Sequence, residues 1–174
     1  MLANQVLIVL TNLALVLALT PAAAVAAPAA AGTLAAWVAG LPGYFLQAGS
    51  FTATQRAACF FSKAVLFSGV GSLTSAVGQA TTLGIVEARS RLDPASPPQV
   101  ALAPVLPTAA AYAVFMAASS NTRYQLVNSF EGNLLKSVPG GKAVQTVTSF
   151  VVRTGNNYLG SANWIWWAKY RGLQ

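Results

Sequence analysis

The stretch AVLFSGVGSLTSAVGQATTLGIV, residues 64–86, contains no charged side chain, and Lys63 precedes it directly. A helix needs about 20 consecutive apolar residues to cross the hydrocarbon core of a bilayer, and this stretch is long enough. Long basic side chains at the end of such a stretch can reach the polar interface while the rest of the helix stays in lipid. The stretch therefore predicts a transmembrane helix.

Three further segments have the length and the apolar composition of spanning helices. Residues 2–20 carry no charge and are followed by Pro21. Residues 100–120 have two prolines near their start, where a helix tolerates them best. Residues 143–168 end in a cluster of tryptophans beside Lys169, which is typical of an aromatic belt at a membrane interface. The sequence predicts an all-α integral membrane protein, a single domain of residues 1–174 with about four transmembrane helices at 2–20, 64–86, 100–120 and 143–168.

Shorter segments complete this prediction. Residues 87–99, EARSRLDPASPPQ, are predicted to form a polar loop outside the hydrocarbon, because three prolines are incompatible with a helix there. Residues 33–39 are too short to span and are predicted to form an interfacial helix. The residues Val138-Pro139-Gly140-Gly141 are predicted to break the chain before the last helix. The first segment has a second interpretation as a secretory signal peptide, but no basic residue precedes Arg56, which favours an uncleaved helix. Lysines and arginines are nearly balanced between the two sides, so no orientation is predicted.

The composition excludes several classes of function. Charged residues make up 7% of the chain, against about 25% in soluble domains, which is too few to cover a water-facing surface. The ten basic residues are scattered and form no continuous patch, so we expect no nucleic-acid partner. One cysteine, three acids and no histidine offer no disulfide, metal site or nucleophile pair. We therefore expect no catalytic residue, no metal and no cofactor, and a protein that is not an enzyme.

Small residues recur every fourth position in the helix predicted at 64–86. Such a stripe lets a second helix backbone approach closely, which is how spanning helices associate in lipid. The alternative is a coincidence in a chain rich in alanine and glycine. We favour a helix-packing face made of Ser72, Ala76, Ala80 and Gly84.

One side of the last predicted helix is polar. At 100° per residue, Arg153 and its polar or small neighbours fall on one face, and valine, leucine and isoleucine fall on the other. A charged residue at bilayer depth costs about 2.5–3.5 kcal/mol, so Arg153 needs a partner inside protein or water. Glu131 is the first candidate for that partner and Glu87 the second. The predicted stripe consists of Ser149, Arg153, Asn156, Asn157 and Gly160.

Two interpretations of this stripe remain open. It either lines a path for a solute or an ion, or it holds a structural arginine satisfied within a helix bundle or against a neighbouring subunit. A path normally needs polar faces on several helices, and the other predicted spans offer mostly alanine, valine, leucine and glycine. A second polar cluster, SSNTRYQ at residues 119–125, belongs either to the same buried network or to the solvated end of a helix.

At this cluster and at RTGNNYLGSANW, residues 153–164, the sequence resembles the RETICULATA-related family of plastid envelope membrane proteins. Further similarity runs through residues 44–89 and includes Thr54-Gln55-Arg56. The short, proline-rich segment at 87–99 departs from the family pattern, and the Ser-rich transit segment of the family is not seen in this sequence. The family-motif residues are Asn121, Arg123, Tyr124 and Gln125.

The resemblance implies a multi-pass protein of the chloroplast inner envelope membrane without enzymatic activity. Two functions are compatible with it. The first is an accessory or structural subunit of a larger membrane assembly, such as the protein-import machinery, with the lipid bilayer and other membrane subunits as partners. The second is a small-solute carrier whose path follows the polar stripe around Arg153, with a solute or a lipid as ligand.

Overall fold

The computed structural model describes residues 34–93 and 103–173, and all regular structure in that part of the chain is helical. The all-α class predicted from the sequence is therefore confirmed. The predicted helix at 2–20 lies outside the described residues. The α-helices within these described ranges are α1 Leu34–Ala39, α2 Ala53–Leu92, α3 Val105–Phe115, α4 Asn121–Ser129 and α5 Gly141–Tyr170.

The long helix α2 has well-defined signals at both ends. Thr52 caps its start and forms a reciprocal capping box with Gln55. Asp93, which precedes Pro94, leaves the helical conformation with φ −136° and ψ 82°. Proline disfavours helical backbone in the residue before it, so the helix runs up to Leu92 and stops. The prediction of a loop from Glu87 onward is therefore wrong for residues 87–92, and the remainder of that predicted loop lies outside the described residues.

A second long helix is built from several segments. After α3 comes a π-helical turn, Met116–Ser120, and after α4 come a second one, Phe130–Leu134, and a 3₁₀ turn, Leu135–Ser137. The backbone stays right-handed helical at each junction, so we treat residues 105–137 as one unit, the central helix. It ends at Val138, and Gly140 with φ 110° turns the chain into α5, at the break predicted from the sequence.

The central helix packs against both α2 and α5, and each neighbour runs antiparallel to it. Against α2, Asn121 lies near Phe60, whereas Met116 lies near Gly71. Against α5, the Trp167 indole N–H donates to the Ala111 carbonyl at 3.0 Å. The hydrophobic core consists of Phe67, Phe115 and Met116, with Tyr112, Tyr124, Trp164 and Trp167 packed around them.

Among the described helices, α2 alone is both long and apolar enough to cross a bilayer, by length and composition. The described residues therefore do not support four transmembrane helices. The segment predicted at 100–120 forms part of the central helix, which π-helical turns and polar residues interrupt. The segment predicted at 143–168 forms part of α5, whose polar stripe lowers its apolar content. In α2, only 17% of the most apolar window is buried inside the protein, unlike the core helix of a soluble domain.

Candidate functional site

Two amide side chains of the central helix are fully buried and hydrogen-bonded. The Asn121 amide donates to the Phe60 carbonyl at 3.1 Å, and the Gln125 amide donates to the Asn121 side-chain oxygen at 3.4 Å. The Gln125 oxygen accepts from the Phe45 N–H at 3.0 Å. A buried amide without partners would cost about 1–3 kcal/mol, so each bond holds its neighbour in place. The pair connects the central helix to α2 and to the chain that precedes α2.

The residues before α2, 41–52, form a non-helical segment held by side chains, which we call the docked segment. The Arg56 guanidinium donates to the Phe45 carbonyl at 2.6 Å and to the Gln47 carbonyl at 3.0 Å. Asn133, at the far end of the central helix, donates to the Leu46 carbonyl at 2.8 Å. Backbone groups outside regular structure need such partners when they are shielded from water.

Arg123 extends from the opposite side of the same helical turns toward α5. Its guanidinium donates to the Ser119 hydroxyl and, at 3.1 Å, to the Ser120 hydroxyl, and it lies 5.4 Å from the Phe115 ring centroid. A Cβ atom on Gly160 would lie 3.0 Å from the guanidinium, so α5 approaches closely because this residue is a glycine. Burial lowers the pKa of Arg123, but an arginine remains charged at neutral pH.

The four family-motif residues thus lie within about one turn of the central helix, and their side chains contact neighbours on two different sides of it. Asn121 bonds to Phe60 of α2 and Gln125 to Phe45 of the docked segment. Tyr124 packs on Phe67 of α2 at a ring distance of 5.3 Å. Arg123 points to α5. The π-helical turns Met116–Ser120 and Phe130–Leu134 lie on either side of this segment. Such turns are rare and occur often at functional sites.

A second polar contact joins the central helix to α5, about two turns after Arg123 on the central helix. The Glu131 carboxylate accepts two hydrogen bonds from the Arg153 guanidinium, at 2.8 and 2.6 Å, and one from the Ser149 hydroxyl at 2.5 Å. The Glu131 side chain is 17% exposed and that of Arg153 is 49% exposed. Glu87, the second candidate partner, bonds instead to Arg91 one turn away on the exposed side of α2. The structure therefore pairs Arg153 with the first candidate.

The polar stripe of α5 turns toward the central helix. Ser149 and Arg153 contact Glu131, Gly160 contacts Arg123, and Asn156 is half-buried, while Asn157 is exposed. Trp164 and Trp167 of α5 pack on the core, but most of its other large apolar residues lie on the outside, where Phe150 is 70% exposed. The exposed residues also include Val147, Val151, Leu159, Ile165 and Trp166. This is the reverse of a water-soluble helix, which turns its apolar face inward.

The predicted small-residue stripe of α2 is only partly covered. Ser72 and Ala76 are half-buried, and Ala80 and Gly84 are exposed. A close helix approach occurs at Gly71 instead, where an added Cβ would lie 2.6 Å from the Met116 side chain. We did not predict the contacts of Gly71, Arg56 or Asn133. Gly71 lies one residue from Ser72 in a glycine-rich stretch, so its local sequence alone could not distinguish it.

No cluster of three or more potential metal ligands occurs within residues 34–93 and 103–173.

In the comparison with known proteins, the family model and the similar proteins point to the same family. The family model described as RETICULATA-like, Protein RETICULATA-related, matches residues 1–130, which include the motif Asn121 to Gln125. The protein named RETICULATA-RELATED 4, chloroplastic, from Arabidopsis thaliana is 37% identical over 131 residues, which make up 74% of this chain and 34% of that protein. No solved structure matches the chain.

Two other Arabidopsis thaliana proteins are each 32% identical to this chain. The protein named RETICULATA, chloroplastic, matches 71% of this chain and 29% of its own length. The protein named RETICULATA-RELATED 1, chloroplastic, matches 94% of this chain and 40% of its own length. The chain therefore spans less than half the length of these relatives.

Proposed function

The chain belongs to the RETICULATA-related family, and from this we propose that it is a non-catalytic membrane protein of the chloroplast inner envelope that acts as an accessory subunit of a larger assembly. The chloroplast location draws on the relatives, which are named as chloroplast proteins. The protein-import machinery is one assembly of this kind. The membrane location and the subunit role draw on the surface of the molecule.

The observation that carries the proposal is the apolar surface that α2 and α5 leave uncovered. On α2, Val65 is 73% and Leu73 is 66% exposed, and on α5 the apolar face points away from the rest of the protein. In water, this much uncovered apolar surface would be strongly unfavourable. Lipid is a solvent in which it is favourable, and polar groups then turn inward to protein partners, as Arg153 does.

The polar stripe supports a structural role more than transport. Many carriers place polar groups from several broken helices around a shared site near the membrane midplane. Here Arg153 binds both carboxylate oxygens of Glu131, and the close approach of Gly160 to Arg123 leaves little space between the helices at the level of the stripe. The stripe thus joins two helices of one chain, and we do not favour the alternative of a small-solute carrier.

A partner helix is supported by the uncovered part of the small-residue stripe on α2. Ala80 and Gly84 are exposed, and no atom lies within 4 Å of a Cβ built on Gly84. Small residues at this spacing allow a second helix backbone to approach closely in lipid. This surface is where we place the contact with another membrane subunit.

Membrane fractionation tests the first part of the proposal. After extraction of chloroplast membranes with alkaline carbonate, the intact protein should stay in the pellet, because a helix such as α2 is not released by removing electrostatic contacts. Complete release into the supernatant would contradict the membrane location.

Affinity purification in a mild detergent tests the subunit role. The wild-type chain should carry a larger membrane protein in fixed stoichiometry, and Ala80→Leu and Gly84→Leu should each release it by blocking close helix approach. Ala57→Leu is the matched control, because Ala57 is also exposed on α2 but lies outside the stripe. A single monodisperse species without any partner would contradict this role.

A further inference from the structure

A groove opens between the central helix and α5 on the outer surface of the protein. Its volume is about 320 Å³, and its walls are Val114, Phe115 and Ala118 on one side and Asn163, Trp166 and Trp167 on the other. Val114 and Trp166 are exposed at its rim. The walls are mainly apolar and aromatic, so a hydrocarbon chain is the kind of group that they suit.

In each wall of the groove, a guanidinium group lies close to an aromatic ring. Arg171 lies 5.8 Å from the ring centroid of Trp167, and Arg123 lies 5.4 Å from that of Phe115 while it bonds to Ser119, another lining residue. The acidic side chains that the structure describes, Glu87, Asp93 and Glu131, are not among the lining residues. The charge around this apolar groove is therefore positive, and it complements an anionic group.

The aromatic residues beside the groove favour a membrane lipid as the source of the anion. The groove lies next to the aromatic end of α5, where Tyr170 stacks on Trp166 at 5.8 Å and on Trp167 at 5.9 Å. Aromatic rings with adjacent cations collect at the headgroup level of a bilayer, and basic pockets between membrane helices bind anionic headgroups. We propose that the groove between the central helix and α5 binds an anionic membrane lipid, with an acyl chain against Ala118 and Trp166 and the headgroup phosphate on Arg171. The proposal rests on the membrane location proposed above and adds a ligand to it.

Tryptophan fluorescence tests the lipid site directly, because brominated acyl chains quench tryptophans that they touch. The full chain, carrying Trp37→Phe so that the signal comes from the cluster on α5, is reconstituted into phosphatidylcholine bilayers with a low mole fraction of brominated lipid. Brominated phosphatidylglycerol should quench at least twofold more than brominated phosphatidylcholine at the same mole fraction. The excess reports enrichment of the anionic lipid beside the tryptophans.

Three variants separate the two parts of the site. Ala118→Phe should abolish the excess by filling the groove, and Arg171→Gln should make the two lipids equal by removing the headgroup contact. Lys142→Gln removes the same charge at the opposite end of α5 and should leave the excess unchanged. Equal quenching by both lipids in the wild type, or an unchanged excess in Ala118→Phe and Arg171→Gln, overturns the lipid site but leaves the membrane location standing. Quenching by neither lipid overturns the membrane location and the lipid site together.

Discussion

Glu131 and Glu87 show that the contribution of a glutamate to stability depends on its surroundings. Glu131 is largely buried and receives hydrogen bonds from Arg153 and Ser149, two residues on another helix. Glu87 bonds to Arg91 within α2, and both side chains are mostly exposed. A charged hydrogen bond that joins two helices in a shielded position contributes more than an exposed pair within one helix.

We therefore expect Glu131→Gln to lower the free energy of unfolding by about 1–3 kcal/mol, because it weakens charge-assisted bonds to Arg153. Glu87→Gln, the matched control, should cost about 0.5 kcal/mol or less. Denaturant unfolding in detergent micelles, followed by circular dichroism, measures both. Equal losses in the two variants would contradict the assignment of Glu131 as a contact between helices.

At the scale of helices, the effect of a glycine on stability depends on which atoms lie opposite it. Gly69 and Gly71 lie in the same stretch of α2, but a Cβ on Gly71 would lie 2.6 Å from Met116, whereas nothing lies within 4 Å of one on Gly69. The first position sets the distance between α2 and the central helix. The second only weakens the helix, because glycine is a poor helix former.

Gly71→Ala should consequently destabilise the protein by about 1–3 kcal/mol through overpacking against Met116. Gly69→Ala adds the same methyl group into open space and should leave stability unchanged or raise it by up to about 1 kcal/mol. Thermal unfolding of both variants in the same detergent distinguishes them. A loss of similar size at both positions would mean that helix packing does not depend on Gly71.

At the scale of the whole molecule, the buried amide of Gln125 holds together parts of the chain that are far apart in sequence. It accepts from Phe45 in the docked segment and donates to Asn121, which in turn bonds to the α2 carbonyl of Phe60. Replacing Gln125 with leucine would keep similar volume but remove the partner of the Phe45 N–H and of the Asn121 side-chain oxygen.

Gln125→Leu should therefore speed hydrogen–deuterium exchange of residues 43–51 by roughly ten- to hundredfold, which corresponds to a loss of about 1–3 kcal/mol. The control is Thr122→Val on the exposed side of the same helix, where the hydroxyl bonds only within its own turn at 2.6 Å. It should leave exchange in the docked segment within about twofold of wild type. Unchanged exchange in Gln125→Leu would show that the segment docks without this residue.

The sequence by itself determined the helical class, the break between the central helix and α5, and the need of Arg153 for a partner. These follow from local patterns: the length of apolar runs, the glycines and proline at 138–141, and the cost of a charge among apolar residues. Only the tertiary structure decided that Ser149 and Arg153 of the polar stripe contact Glu131 and that Gly71 packs tightly against Met116 of the central helix. It also decided that Arg56, Gln125 and Asn133 hold the docked segment. The physical reason is that helical periodicity shows which residues share a face but does not show which face of another helix, distant in the chain, will meet it.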